Sequence, residues 1–192
     1  MSNDPTAGML KVLVPTGHLA HTPIQDESFQ AGVEAGPDAL IADSGSNDIG
    51  PHPLGADVSH SPDQWQRRDL ELMLLAARRL EVPMIIGSAS DTGTDRGVTQ
   101  YVEIIKDIAR RHRLPSFKLA AVYAEQDPED LRRQLPLEGL DDFPPLDETT
   151  LNATDRVVAV MGPEPIMAAL ADGADVIICG RACDDALFSA FC

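Results

Sequence analysis

No apolar run in this 192-residue chain approaches the ~20 residues needed to cross a bilayer, which argues against a membrane partner. The first residues, Met1 to Gly8, hold neither a basic stretch nor a long apolar one, so no export signal is expected. Positive charge is scarce. The 15 Lys and Arg face 31 Asp and Glu, for a formal net charge of −16. Nucleic-acid binding depends on Lys and Arg neutralising phosphates, so that class of partner is disfavoured. The plain reading of the excess is a solvated acidic surface. Cysteine is sparse as well: Cys179, Cys183 and Cys192 are too few and too clustered for a disulfide framework. With no export signal, a reducing cytosol is the expected compartment. Cys179 and Cys183 also lack the second pair that a structural zinc site would need.

What is present suits one α/β domain over residues 1–192, with 43% hydrophobic and 24% charged residues. Short apolar runs at Leu10–Val14, Ala39–Ala42, Val82–Ile86, Phe117–Tyr123, Arg156–Val160 and Ala174–Cys179 read as strands. Between them, helical spacing covers Asp26–Ala35, Gln64–Leu80, Val98–His112, Pro128–Gln134 and Ile166–Ala171, with a last turn or two reaching Phe191. Ser61 ahead of Pro62 reads as a helix cap. Leu135 to Thr150, rich in Pro, Asp and Leu, reads as an excursion. Alternating elements with near-continuously apolar strands predict a mostly parallel sheet of about six strands, helices on both faces, open and doubly wound in the Rossmann manner.

In such folds ligands bind where strands release their carboxyl ends into loops. Here those loops carry most of the glycine and polar side chains, whereas the opposite connectors, such as Glu81-Val82-Pro83, are short. The richest is Asp43-Ser44-Gly45-Ser46-Asn47-Asp48-Ile49-Gly50-Pro51. Asp43 and Asp48 are candidate acids or bases, metal ligands or acceptors for a substrate hydroxyl, and Ser44 and Ser46 candidate substrate contacts. Asx turns and capping compete as explanations. Gly87 and Ser88, with Ala89, Ser90, Gly93 and Gly97, offer backbone donors for an anion, and Arg96 stands near the following helix start. Its partner is either a substrate anion or Asp95 or Asp91. The loop matches neither G-x-x-x-x-G-K-[ST] nor G-x-G-x-x-G after a strand, so no nucleotide cofactor is implied. After the last strand, Arg181 suits a carboxylate grip, Asp184 an acid, base or cap, and Cys183 a nucleophile or a small apolar filler. His18, His21 and His52 leave a divalent metal with Asp43 or Asp48 open, although the H-E-x-x-H spacing is absent.

Taken together, several stretches resemble the acyclic terpene utilisation family. They are Asp43 to Pro51 with Leu54-Gly55, Arg68-Asp69-Leu70-Glu71-Leu72, Ile85-Ile86-Gly87-Ser88-Ala89, and Gly173-Ala174-Asp175-Val176 with Gly180-Arg181-Ala182-Cys183-Asp184. The resemblance runs from Leu10 to Phe191. It implies an enzyme of small-molecule catabolism, with genes often beside those for acyl-CoA or branched-carboxylate metabolism. Members usually continue past the point matching Cys192. The resemblance therefore implies the N-terminal half of a larger family domain, completed by a second chain or assembled as a homo-oligomer. The expected activity is that of a lyase or hydratase on a small hydroxylated or unsaturated carboxylate or its CoA ester. A hydrolase using Cys183, Ser44, Ser46 or metal-bound water is the second expectation, and a ligand-binding subunit of a hetero-oligomer the third.

Overall fold

A computed structural model describes residues 9–45, 50–139 and 141–192. In chain order the elements are β1 (Val12–Leu13), α1 (Asp26–Glu34), β2 (Ala39–Asp43), α2 (His52–Ala56), α3 (Asp63–Leu80), β3 (Met84–Gly87) and α4 (Asp95–His112). Then follow β4 (Leu119–Val122), α5 (Pro128–Arg132), α6 (Glu148–Asn152), α7 (Glu164–Ala171), β5 (Val176–Cys179) and α8 (Ala186–Ser189). The strands form one sheet in the order β1-β2-β3-β5-β4, and every neighbouring pair is parallel.

The layering follows from strand periodicity, since successive side chains point to opposite faces. Leu40, Ala42, Met84, Ile86, Val176 and Ile178 pack with Phe29 and Val33 of α1 and with the apolar stripes of α3 and α4. Ala39, Ile41, Ile85, Ile177 and Cys179 pack on the other face, with Ile166 of α7 and Leu187 of α8. Full burial of each Leu or Ile of this kind stabilises by about 1.5–3 kcal/mol. The three crossovers from β1 to β4 run one way across the sheet and the return from β4 to β5 runs back. Right-handed crossovers then put α1, α3 and α4 on one face and α7 on the other. The switch falls between β3 and β5, whose following helices leave to opposite faces.

Five strands, not six, pair in the sheet. The expected strand at Arg156–Val160 lies outside it, making only an antiparallel bridge between Val158 and Glu125. Gln126 N–H donates to the Val157 carbonyl and Ala159 N–H to that of Ala124. None of the five residues is buried, and Val160 is 62% exposed. Apolar composition alone does not separate a buried strand from a strap laid over a sheet end. Met161 continues the strap with a parallel bridge to Ala182. At the far edge, Leu10–Val14 contracts to the two residues of β1. The helix expected from Gln64 begins at Asp63 with no side-chain cap, and Ser61 serves another group. No helix among the described residues is long and apolar enough to cross a membrane.

Candidate functional site

Asp43 is the last residue of β2 and pairs in register with Gly87, the last residue of β3. Counting in twos from Ala39 and Ile41 puts its side chain on the α8 face. Its Oδ2 accepts the Gly45 N–H at 2.9 Å, an Asx turn at the strand exit. Its Oδ1 is enclosed and has no hydrogen-bond partner among the described residues, although the residue is only 6% exposed. A Cβ on Gly87 would stand 2.6 Å from that oxygen and 2.6 Å from Leu187 Cδ1. Glycine there gives the carboxylate its room.

Burial pushes the Asp43 carboxyl above its ordinary range; the Gly45 N–H, the nearby Ser88 hydroxyl and Arg181 oppose the rise, and the Asp184 carboxylate adds to it. Both acids line a cleft of about 180 Å³ with Val14, Thr16, Gly17 and Phe188. Val14 reaches it because Val12 and Val14 alternate onto the same face as Asp43. Larger hollows lie elsewhere: about 610 Å³ over Gln25 to Ser28 at the start of α1, about 380 Å³ between α1 and α3, and about 320 Å³ at the end of α4. Their charged residues Asp26, Glu27, Arg79, Arg110 and Arg113 are exposed, and among the described residues no buried acid or base opens into any of them. A buried ionisable group in a concavity is the stronger mark of chemistry.

A model of the family described as "Acyclic terpene utilisation family protein AtuA" matches residues 31–192. The chain belongs to the acyclic terpene utilisation family. That membership points to a role in terpene utilisation. No curated protein and no solved structure matches the chain. The matched span holds Asp43, Gly87 and Asp184 of this family member, whereas β1 and the Thr16-Gly17 wall of the cleft precede it.

The other residues expected at the site divide. Ser44 alternates away from the cleft; its buried hydroxyl pairs with the Tyr101 hydroxyl at 2.7 Å, whose ionisation burial pushes upward. Ser88 is buried, and its Oγ accepts the Ala182 N–H. The loop expected to cradle an anion spends its donors internally. Ser88 N–H goes to Gly180, Ala89 N–H to Cys179, Asp91 N–H to Ser44 and Gly93 N–H to Ala89. Arg96 bonds neither Asp95 nor Asp91: its Nε lies 2.8 Å from Asp57 Oδ2 and its Nη2 donates to the Asp57 carbonyl. Arg181 spans the loops instead, donating to the carbonyls of Gly45 (3.2 Å) and Asp91 (3.4 Å). Gly93, at φ +64°, lets it through, because a Cβ there would stand 2.9 Å from the Arg181 backbone. Cys183 is exposed, and its hydrogen bond to Asp185 and the neighbouring carboxylates push the thiol up rather than activating it. Burial pushes Cys179 up to about 12. Ser46 and Asp48 lie outside the described residues.

Asp91 is the group that sequence reasoning missed, having weighed it only as a partner for Arg96. It is 1% exposed and accepts from Ser59 Oγ, His60 N–H, Ser61 N–H and Ser61 Oγ at 2.6–2.8 Å, with His18 Nε2 at 2.7 Å. Burial would raise this carboxyl, but the bonds from His18, Ser59 and Ser61 outweigh it and hold Asp91 far below the usual carboxylate range. Asp91, Ser88 and Ser90 all have φ between +46° and +63°. Such conformations cost about 1–3 kcal/mol each and persist where surrounding structure over-determines them. The available signal was a Ser-His-Ser run, Ser59-His60-Ser61, far away in sequence. Asp69, within a family-like stretch, does similar work: buried, it accepts the N–H groups of Ala20 and Ile24 and fixes the loop after β1. His18 and His52 are engaged with Asp91 and His60, and among the described residues no three His, Cys, Asp or Glu side chains gather as metal ligands.

Proposed function

We propose that this family member is an enzyme of small-molecule catabolism that adds water to, or removes it from, a small unsaturated or hydroxylated acyl compound. The observation that carries this reading is the buried carboxyl of Asp43, raised by its burial, in a cleft that it lines together with Asp184. In the hydration direction Asp43 takes a proton from water as the hydroxyl bonds to one alkene carbon. Asp43 then gives that proton to the other alkene carbon, and dehydration is the reverse. A carboxyl shifted upward by burial is suited to both halves, since proton transfer is most effective when the pKa lies near the working pH. Asp184, exposed, stands at the mouth of the same cleft. The hydrolase reading with Cys183 gains nothing from a thiol pushed upward.

The test is turnover of branched 2-enoyl and 3-hydroxyacyl thioesters by the intact chain, followed through the conjugated enoyl absorbance. Asp43→Asn is expected to lower the rate by roughly 10²–10⁴-fold, the usual worth of general acid–base help. A variant as fast as the natural chain overturns the assignment.

A further inference from the structure

A strand at the margin of a sheet offers a row of backbone groups that another strand can satisfy. β4 is such a strand, with β5 on one side and no described strand on the other. The Val176 N–H donates to the Lys118 carbonyl and the Gly180 N–H to that of Val122. Parallel pairing alternates, so Lys118, Ala120 and Val122 direct their backbone groups to β5, while Leu119, Ala121 and Tyr123 direct theirs outward. No described residue bonds to those outward groups. Exposed edges are ordinarily guarded by Lys or Pro. Residues 119–124 hold neither, and Lys118 just before them is tied to Asp172. The side chains around this edge are apolar and uncovered. Residues 119–124 carry no charge and residues 157–171 only Glu164, in a chain that is 24% charged. The two segments adjoin, since Ala159 N–H donates to the Ala124 carbonyl and α7 packs on β4. Tyr123, Val160 and Met167 are 54%, 62% and 51% exposed, and Ala121, Ala168 and Ala171 are exposed too.

We infer that β4 pairs antiparallel with β4 of a second copy of this chain, about a two-fold axis at Ala121, joining two five-stranded sheets into one. Three features select a second copy as the occupant. The first is charge: at a net −16 the chain repels its own copy wherever acidic surfaces meet, and this face brings almost no charge to the contact. The second is symmetry. A two-fold axis pairs an edge with itself antiparallel, and with Ala121 on the axis Leu119 stands opposite Tyr123 of the second copy. The outward N–H and C=O groups of all three residues are then matched, and Leu119 and the Tyr123 ring form a cross-strand pair. The third is length. The other edge, β1, has only two residues, too few to match three, which disfavours head-to-tail growth from β4 to β1.

Sedimentation velocity of the intact chain reads the outcome, against a mass of 20.6 kDa for one copy. A dimer is expected, and added salt should tighten it by screening the like charge of the two copies. Ala121→Lys sets two like charges on the axis and is expected to weaken the dimer by roughly tenfold or more. Tyr123→Lys, at an exposed position, should weaken it several-fold and carries the test alone if Ala121→Lys does not fold by urea melt. Leu10→Lys, beside the opposite edge, should leave it unchanged. Hydrogen exchange reports the pairing itself: the Leu119, Ala121 and Tyr123 amides should be protected in the dimer and lose protection on dilution. A monomer at the highest soluble concentration, or a dimer that tolerates the Tyr123 lysine, would overturn the inference. So would free exchange of those three amides in the dimer, disruption by Leu10→Lys, or a different chain occupying this face in place of a copy.

Discussion

At the scale of single residues, two buried aspartates have opposite relations to stability. Asp43 has its carboxyl raised by burial, so the folded state prefers the protonated form. Its favourable contribution is present below the unfolded-state pKa and is lost as pH rises through the folded one. At neutral pH, above the unfolded-state pKa, burial of this carboxyl therefore costs stability. Asp43→Asn keeps an acceptor for the Gly45 N–H, and is expected to gain about 1 kcal/mol or more in urea melts near neutrality while losing turnover. Asp91 is the reverse. Its carboxyl is depressed, so its stabilisation is present above the ordinary carboxylate pKa of about 4 and fades as pH falls through that value and below. Asp91→Ala leaves His18 without that buried acceptor and should cost about 3–5 kcal/mol by denaturant midpoint at unchanged slope. For Cys183, iodoacetamide at neutral pH should react more slowly than with a free thiol and leave turnover of the alkylated protein unchanged, read by mass and rate.

At the scale of elements, strand periodicity decides which loop residue faces which helix. Residues 39, 41 and 43 share one face of β2 and 40, 42 and 44 the other, so Asp43 turns to α8 and Ser44 to Tyr101 on α4. That division was present in the alternation of Ala39 to Ser44, yet invisible until the helices were assigned to faces. The same logic makes Gly87 a spacer rather than a binder. Gly87→Ala places a methyl against Asp43 Oδ1 and Leu187, and a loss of about 1–3 kcal/mol in thermal or urea melts is expected, with weakened turnover from the displaced carboxylate. The interior strands β2, β3 and β5 were legible because each is continuously apolar and fully buried. Arg156–Val160 misled because its valines are equally apolar but lie only partly covered. The partners of Arg96 and Asp91 were illegible for another reason: Asp57 and Ser59 to Ser61 lie 30 or more residues away and meet them only through the fold.

At the scale of the whole molecule, the topological switch between β3 and β5 is where an open parallel sheet ordinarily admits its ligand. Here the two loops are stitched across it, Ser88 N–H to Gly180 and Arg181 N–H to Gly93. The available opening is displaced to the β1–β2 side, under α8. The strained backbone at Ser88, Ser90 and Asp91 is held by these bonds and by the Asp91 cluster, so the sealed switch acts as a rigid floor behind Asp43.

One wall of the opening is of another kind. β1 contributes only Val12 and Leu13 and is hydrogen-bonded to one neighbour, so it is the least secured strand of the five. Segments of that sort open at small energetic cost while the interior stays shut. Deuterium should therefore replace the amide protons near Val14 long before those of Ile41 or Ile85. Ligand exchange would then proceed by breathing of this margin, leaving the proton-handling wall undisturbed.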